Sequence, residues 1–111
     1  MQRKITQGQL YLNDKDVGSV HIRGWRSSWG FGDFHPNEGF AEFATIFGNW
    51  SLLMHADDDQ TQLSPEASEE LRRAEYAMDA LRAKMFIPET KEWRMIQQVN
   101  IDGHLIEWKE R

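Results

Sequence analysis

The chain has 111 residues, 40% hydrophobic and 28% charged, with no cysteine and a net charge of −5. That composition excludes an unfolded chain, and the missing cysteines exclude disulfides, thiol catalysis and zinc sites built on Cys. No apolar run approaches the roughly 20 residues that a membrane helix requires. The basic opening "MQRKITQGQL" has no apolar segment behind it, so a cytoplasmic protein with no membrane association is expected.

A length of 111 residues suits a single domain, 1–111, burying roughly 65% of its unfolded surface. The charge is uneven. Residues 1–56 carry five Lys/Arg and five Asp/Glu, whereas residues 57–111 carry eight and thirteen, so the whole acidic excess lies in the second half. An acidic surface repels phosphate backbones, so no nucleic acid is expected as a partner; a basic protein suits it better.

In chain order, Leu10 and Leu12 alternate, then Val20 and Ile22 alternate, with the turn cluster "NDKD" between them. That is the pattern of a β-hairpin. "RSSWGFGDF", residues 26–34, mixes two glycines and two serines with large aromatics and reads as a loop. A helix is expected from near Pro36, with Glu38 in its first turn. Phe40, Phe43, Phe47, Trp50 and Met54 then recur at intervals of three and four, one stripe on a helix that continues past Gly48 to about His55. After the linker "ADDDQTQ", Ser64 and Pro65 start a second helix. Its stripe of Leu71, Ala74, Met78, Leu81 and Met85 runs on until Pro88 stops it. The tail reads as a second hairpin turning at Asp102-Gly103, with Trp93, Met95, Gln97, Val99 and Ile101 on one face and Ile106 and Trp108 returning. The order is ββααββ. It predicts an α+β fold in which two β-hairpins form an antiparallel sheet with two helices packed on one face.

Between Trp25 and Trp50 lie three of the five tryptophans and five of the six phenylalanines. Each such ring removes about 150–250 Å² from water when buried, worth several kcal/mol at about 25 cal/mol per Å². The helix stripe Phe40, Phe43, Phe47 and Trp50 is therefore assigned to the core. Trp25, Trp29, Phe31 and Phe34 fall on no periodic element. With Arg26 they form the candidate binding surface, because aromatics on loops are frequent recognition groups.

Signals for chemistry are weak. His21, His35, His55 and His104 have no metal-ligand spacing, and the run Asp57, Asp58 and Asp59 beside His55 lacks the spaced oxygens of a calcium loop, so no metal and no cofactor is expected. "GDFHP" sets Asp33 two residues before His35, a pair able in principle to orient an imidazole for general-base work with Ser27 or Ser28 as nucleophile, but no nucleophile elbow is present. Arg23 and Arg26 flank Trp25 without the basic stripe of a nucleic-acid site. The favoured reading is a non-enzymatic, acidic protein-interaction module. It self-associates as a homodimer or binds a basic protein partner, an inhibitor-like profile by composition only. The alternatives are a small hydrolase or metal-dependent enzyme using Asp33 and His35, and a small-ligand binder with its pocket between sheet and helices.

Overall fold

Asn13 and Asp14 adopt φ of 51° and 67°, and Leu12 pairs with Lys15 across them. Two left-handed residues in a two-residue loop match the right-handed twist of the flanking strands, and Asn and Asp tolerate that region best after glycine. The turn therefore sets the first hairpin, β1 (Gln7–Leu12) and β2 (Lys15–Arg26), where the alternation of Leu10, Leu12, Val20 and Ile22 places it. The structure is a computed structural model that describes residues 6–58 and 64–110, the side chains of residues 54–58 excepted.

Within the described residues, β3 (Trp29–Pro36), a 3₁₀ turn (Glu38–Phe40), α1 (Ala41–Asp58), α2 (Pro65–Asp79), β4 (Ala83–Ile87), β5 (Glu92–Asp102) and β6 (Leu105–Glu110) follow. The six strands close into an antiparallel barrel in the order β1-β2-β3-β6-β5-β4, with β4 returning to pair with β1. The expected open sheet with helices on one face is thus corrected in two places, each of which adds a strand.

The first is the segment 26–34, expected as a loop. It is the end of β2, a two-residue turn at Ser27 and Ser28, and most of β3. Its pattern hides the strand because the inward positions are held by Gly30 and Gly32, with the aromatic Trp29 and Phe31 outside. A barrel of six strands has a narrow interior, and large side chains on one wall require small ones opposite. A Cβ on Gly30 would lie 2.7 Å from Trp108 Nε1 and closer still to that ring's carbons, and one on Gly8 would lie 2.5 Å from Met85 Sδ.

The second is the expected C-terminal part of the second helix. Ser64 caps α2, its hydroxyl accepting from the Ala67 amide at 3.1 Å, but the helix stops at Asp79. Met85 belongs to β4, facing the core beside Ala83 and Ile87. Leu81 and Met85 fit a helical spacing, yet Ala83, Met85 and Ile87 also fit a strand, and pairing on both sides with β1 and β5 decides for the strand. Asn13 holds the junction: its amide donates to the Arg82 carbonyl at 2.8 Å and its Oδ1 accepts from the Arg82 amide at 2.9 Å.

β5 corrects a third expectation. Gln98 has a φ of 52° and sits in a bulge between Gln97 and Asn100. A bulge moves every later side chain to the other face. Ile96 is inward before it and Val99 and Ile101 are inward after it, while Trp93 and Met95 are 50% and 54% exposed on the outer surface. The closing hairpin pairs Asp102 with Leu105 around Gly103, at φ 61°, and His104.

α1 continues through Gly48, as its stripe predicts, but starts after β3 has run to Pro36 and Asn37 has capped the 3₁₀ turn by accepting from the Gly39 amide at 2.8 Å. Phe43 and Phe47 are buried in the same core as Leu10, Val17, Val20 and Phe34, and Phe40 meets Phe34 edge-on with ring centroids 5.0 Å apart. Both helices contact β5 and each other, and Met78 of α2 joins the core. They connect the ends of β3 and β4 that lie beside the β1–β2 turn, so the stripe seals that end of the barrel.

Candidate binding surface

β3 divides the expected binding residues by parity. Gly30, Gly32 and Phe34 point inward; Trp29, Phe31, Asp33 and His35 point outward. Phe34, expected at the binding surface, is 1% exposed and belongs to the core. Trp25, on β2, is also displaced from the expected surface. Its half-buried indole packs on the core at the barrel end away from the helices, with the Arg94 guanidinium 5.6 Å from the ring centroid. Arg94 Nη1 donates to Glu110 Oε1 at 2.8 Å, so an aromatic and an ion pair cover that end together.

The remaining three do meet. Phe31 lies opposite Gly24 on β2, and a Cβ on Gly24 would come 3.3 Å from the Phe31 ring, so the ring leans over the space the glycine leaves. The Arg26 guanidinium stands 5.9 Å from the same ring. Trp29, Arg26 and Phe31 line a hollow of about 590 Å³ with Glu107 of β6. Phe31 and Glu107 also border a second hollow of about 400 Å³, with Trp50 of α1 and Leu105 of β6. Trp29 and Trp50 border a third, of about 350 Å³, rimmed by Glu75 and Asp79 of α2. The three share walls and form one aromatic furrow on the outer side of β3, β6 and β5, running beside the helices. Six ionisable residues line it, and Asp102, Glu107, Glu75 and Asp79 outnumber Arg23 and Arg26. Arg23 Nε donates to Asp33 Oδ2 at 2.7 Å, which neutralises it locally.

The contributions of Trp50, Leu105 and Glu107 lie outside the expected surface. Trp50 was assigned to the core by its helical spacing, and it is half-buried, packed against the core and also bordering the furrow. Nothing local marks Leu105 and Glu107. They reach Phe31 because β3 pairs with β6, a contact of high sequence separation: Phe31 faces Glu107 and Asp33 faces Leu105.

The outward β3 residues proposed for chemistry do not assemble. Asp33 Oδ2 bonds Arg23, not a histidine, and His35 stands exposed opposite Ser19. His21 faces Asp33 across the strands, with its side chain in solvent. Ser27 and Ser28 form the exposed β2–β3 turn, where Ser28 O accepts from the Glu110 amide at 2.9 Å. Among the described residues, no three His, Asp or Glu side chains converge as metal ligands. The side chains of His55, Asp57 and Asp58, and Asp59 as a whole, lie outside the described residues.

A second aromatic cluster occupies the opposite wall. Trp93 of β5 contacts Tyr11 of β1 and Phe86 of β4, each with ring centroids 5.0 Å apart. Lys84 Nζ lies 4.6 Å from the Trp93 centroid and 3.1 Å from Asp14 Oδ1. The hydrogen bond from Lys84, then its charge, then that of Arg82, hold the Asp14 carboxyl below its ordinary value of 3.8. The lysine thus lies over one face of Trp93, whose ring packs edgewise against its neighbours and remains half exposed.

No helix among the described residues is long and apolar enough to cross a membrane. Comparison of the chain with family models, curated proteins and solved structures finds no match.

Proposed function

We propose that this protein is a non-enzymatic interaction module that holds a basic segment of a partner protein in the furrow along β3, β6 and β5. The observation that carries the reading is the furrow itself, with Phe31, Trp29 and Trp50 along its floor and Glu107, Glu75 and Asp79 at its margin. Aromatic side chains with few rotatable bonds contribute large contact area at little entropic cost, and a negative rim steers positive partners and rejects acidic ones. A segment with an apolar side chain between lysines or arginines satisfies both features. Closure of the barrel leaves no free strand edge within the described strands, so recognition would run through side chains rather than by strand addition.

Titration with short peptides that alternate Lys or Arg with Leu or Phe, followed by tryptophan emission and calorimetry, tests the reading. Binding should weaken as salt is raised, fall about tenfold or more in Phe31→Ala, and fall again in Glu107→Gln. Acidic peptides of the same apolar content should not bind. Equal binding of acidic and basic peptides, or none of either, would remove the reading.

A further inference from the structure

The three hollows of the furrow differ in charge. The hollow of about 590 Å³ has Arg26 on its border beside Glu107, and the hollow of about 400 Å³ has Arg23. The hollow of about 350 Å³, bordered by Trp29 and Trp50, has no basic residue on its border among the described residues. Lys109 pairs with Trp29 in the β3–β6 register but is not on that border. Two carboxylates are, Glu75 and Asp79, one helical turn apart on α2. Among the described residues neither takes part in an ion pair or a side-chain hydrogen bond. Two side-chain amides of β5, Gln98 and Asn100, complete the polar part of the border. The bulge puts them there: regular alternation after the inward Ile96 would turn both into the barrel, whereas Val99 is the buried residue and the amides take the outer face.

We infer that this hollow is a subsite for an arginine side chain of the bound segment, an inference that rests on the interaction reading above and sharpens it. A guanidinium matches the whole border. Indoles are the most favourable rings for a cation. The planar guanidinium lies flat against such a ring and keeps five donors in its own plane, free to reach carboxylate and amide oxygens at the edge. The ammonium of lysine is a compact, strongly hydrated point charge, which loses either its water or its ring contact. A quaternary ammonium would use the tryptophans but offer no donor to the four oxygen-bearing side chains. A neutral ring would leave both carboxylates uncompensated. The other two hollows, each with an arginine of its own, suit the apolar side chains of the segment better.

Calorimetry with the full chain and an alternating Lys/Leu peptide tests it, the lysines being replaced by arginine one at a time. At one peptide position arginine should bind about fivefold or more tighter than lysine. Citrulline at that position, which keeps the shape and drops the charge, should bind more weakly than lysine. The double variant Glu75→Gln with Asp79→Asn should erase the arginine preference, and Trp29→Leu should do the same. The ratio of arginine to lysine affinity is the readout, which a general loss of stability would not move, and circular dichroism confirms that each variant folds. Basic peptides that bind with no arginine preference at any position overturn this inference and leave the interaction reading standing. A preference that survives the double variant, citrulline binding as tightly as arginine, or trimethyllysine binding more tightly than arginine also overturns it. No binding of any basic peptide removes both.

Discussion

Gly30 of β3 pairs directly with Trp108 of β6, and the indole lies across the space where a side chain at position 30 would begin. Trp108 is 1% exposed and has no room to retreat. Overpacking a rigid core in this way costs about 1–3 kcal/mol. Gly30→Ala should therefore lower the melting temperature by at least about 5 °C. Combined with Trp108→Phe, which withdraws part of the ring, the alanine should cost less than in the parent, a coupling that a double-mutant cycle reads directly. An unchanged melting temperature in Gly30→Ala would contradict the contact.

Gly48 has the opposite expectation. It sits in the interior of α1, and a Cβ there would meet nothing within 4 Å. Glycine in a helix costs roughly 0.5–1 kcal/mol relative to alanine through the entropy of the unfolded chain. Gly48→Ala should raise the melting temperature by about 3–6 °C in a thermal denaturation experiment.

Phe31 and Phe34 are three residues apart and should behave as different kinds of residue. Phe34→Ala removes a fully buried ring and should cost about 3–5 kcal/mol in urea unfolding. Phe31→Ala removes a ring that is 36% exposed and rests over Gly24, and should cost less than half as much while abolishing most peptide binding. Equal destabilisation by the two would place Phe31 in the core and leave the furrow without its central contact.

Asp14 supplies a pH test. Its carboxyl titrates below 3.8 in the folded protein because Lys84 and Arg82 favour the charged form. A depressed folded pKa means that its contribution to stability is present above the unfolded value and is lost as pH falls through the folded one, so the window lies below about pH 4. NMR titration should find Asp14 below the ordinary range, and Lys84→Met should return it toward 3.8. Asp14→Asn should flatten the part of the acid-stability profile that this carboxylate contributes, by losing its small stabilisation near neutral pH while leaving stability in strong acid unchanged.

Several elements were legible because their signals are local. The Asn13-Asp14 turn, the Ser64 cap, the closing turn at Gly103 and the stripe of Phe43 and Phe47 depend on residues within four positions of one another. Parts of the candidate surface were legible for the same reason: Trp29, Phe31 and Arg26 were picked out by aromatic density alone. Trp25 and Phe34 were picked out equally; Phe34 separates from the others because β3 alternates its side chains and has an inside, and Trp25 because it lies on β2 and packs against the core.

By itself, then, the sequence determined turns, caps and helical periodicity, and the apolar positions from which a core is made. Tertiary structure decided that the sheet closes, which strands β3 and β4 are, and which face each aromatic takes. The physical reason is that Gly30 and Gly32 carry no apolar signal of their own. Their meaning as inward positions comes from Trp108 and from the backbone of β2, and β4 becomes a strand by pairing with β1, more than seventy positions earlier in the chain. Closure, and with it the furrow where β3 meets β6, is a property of partners brought together from distant parts of the chain.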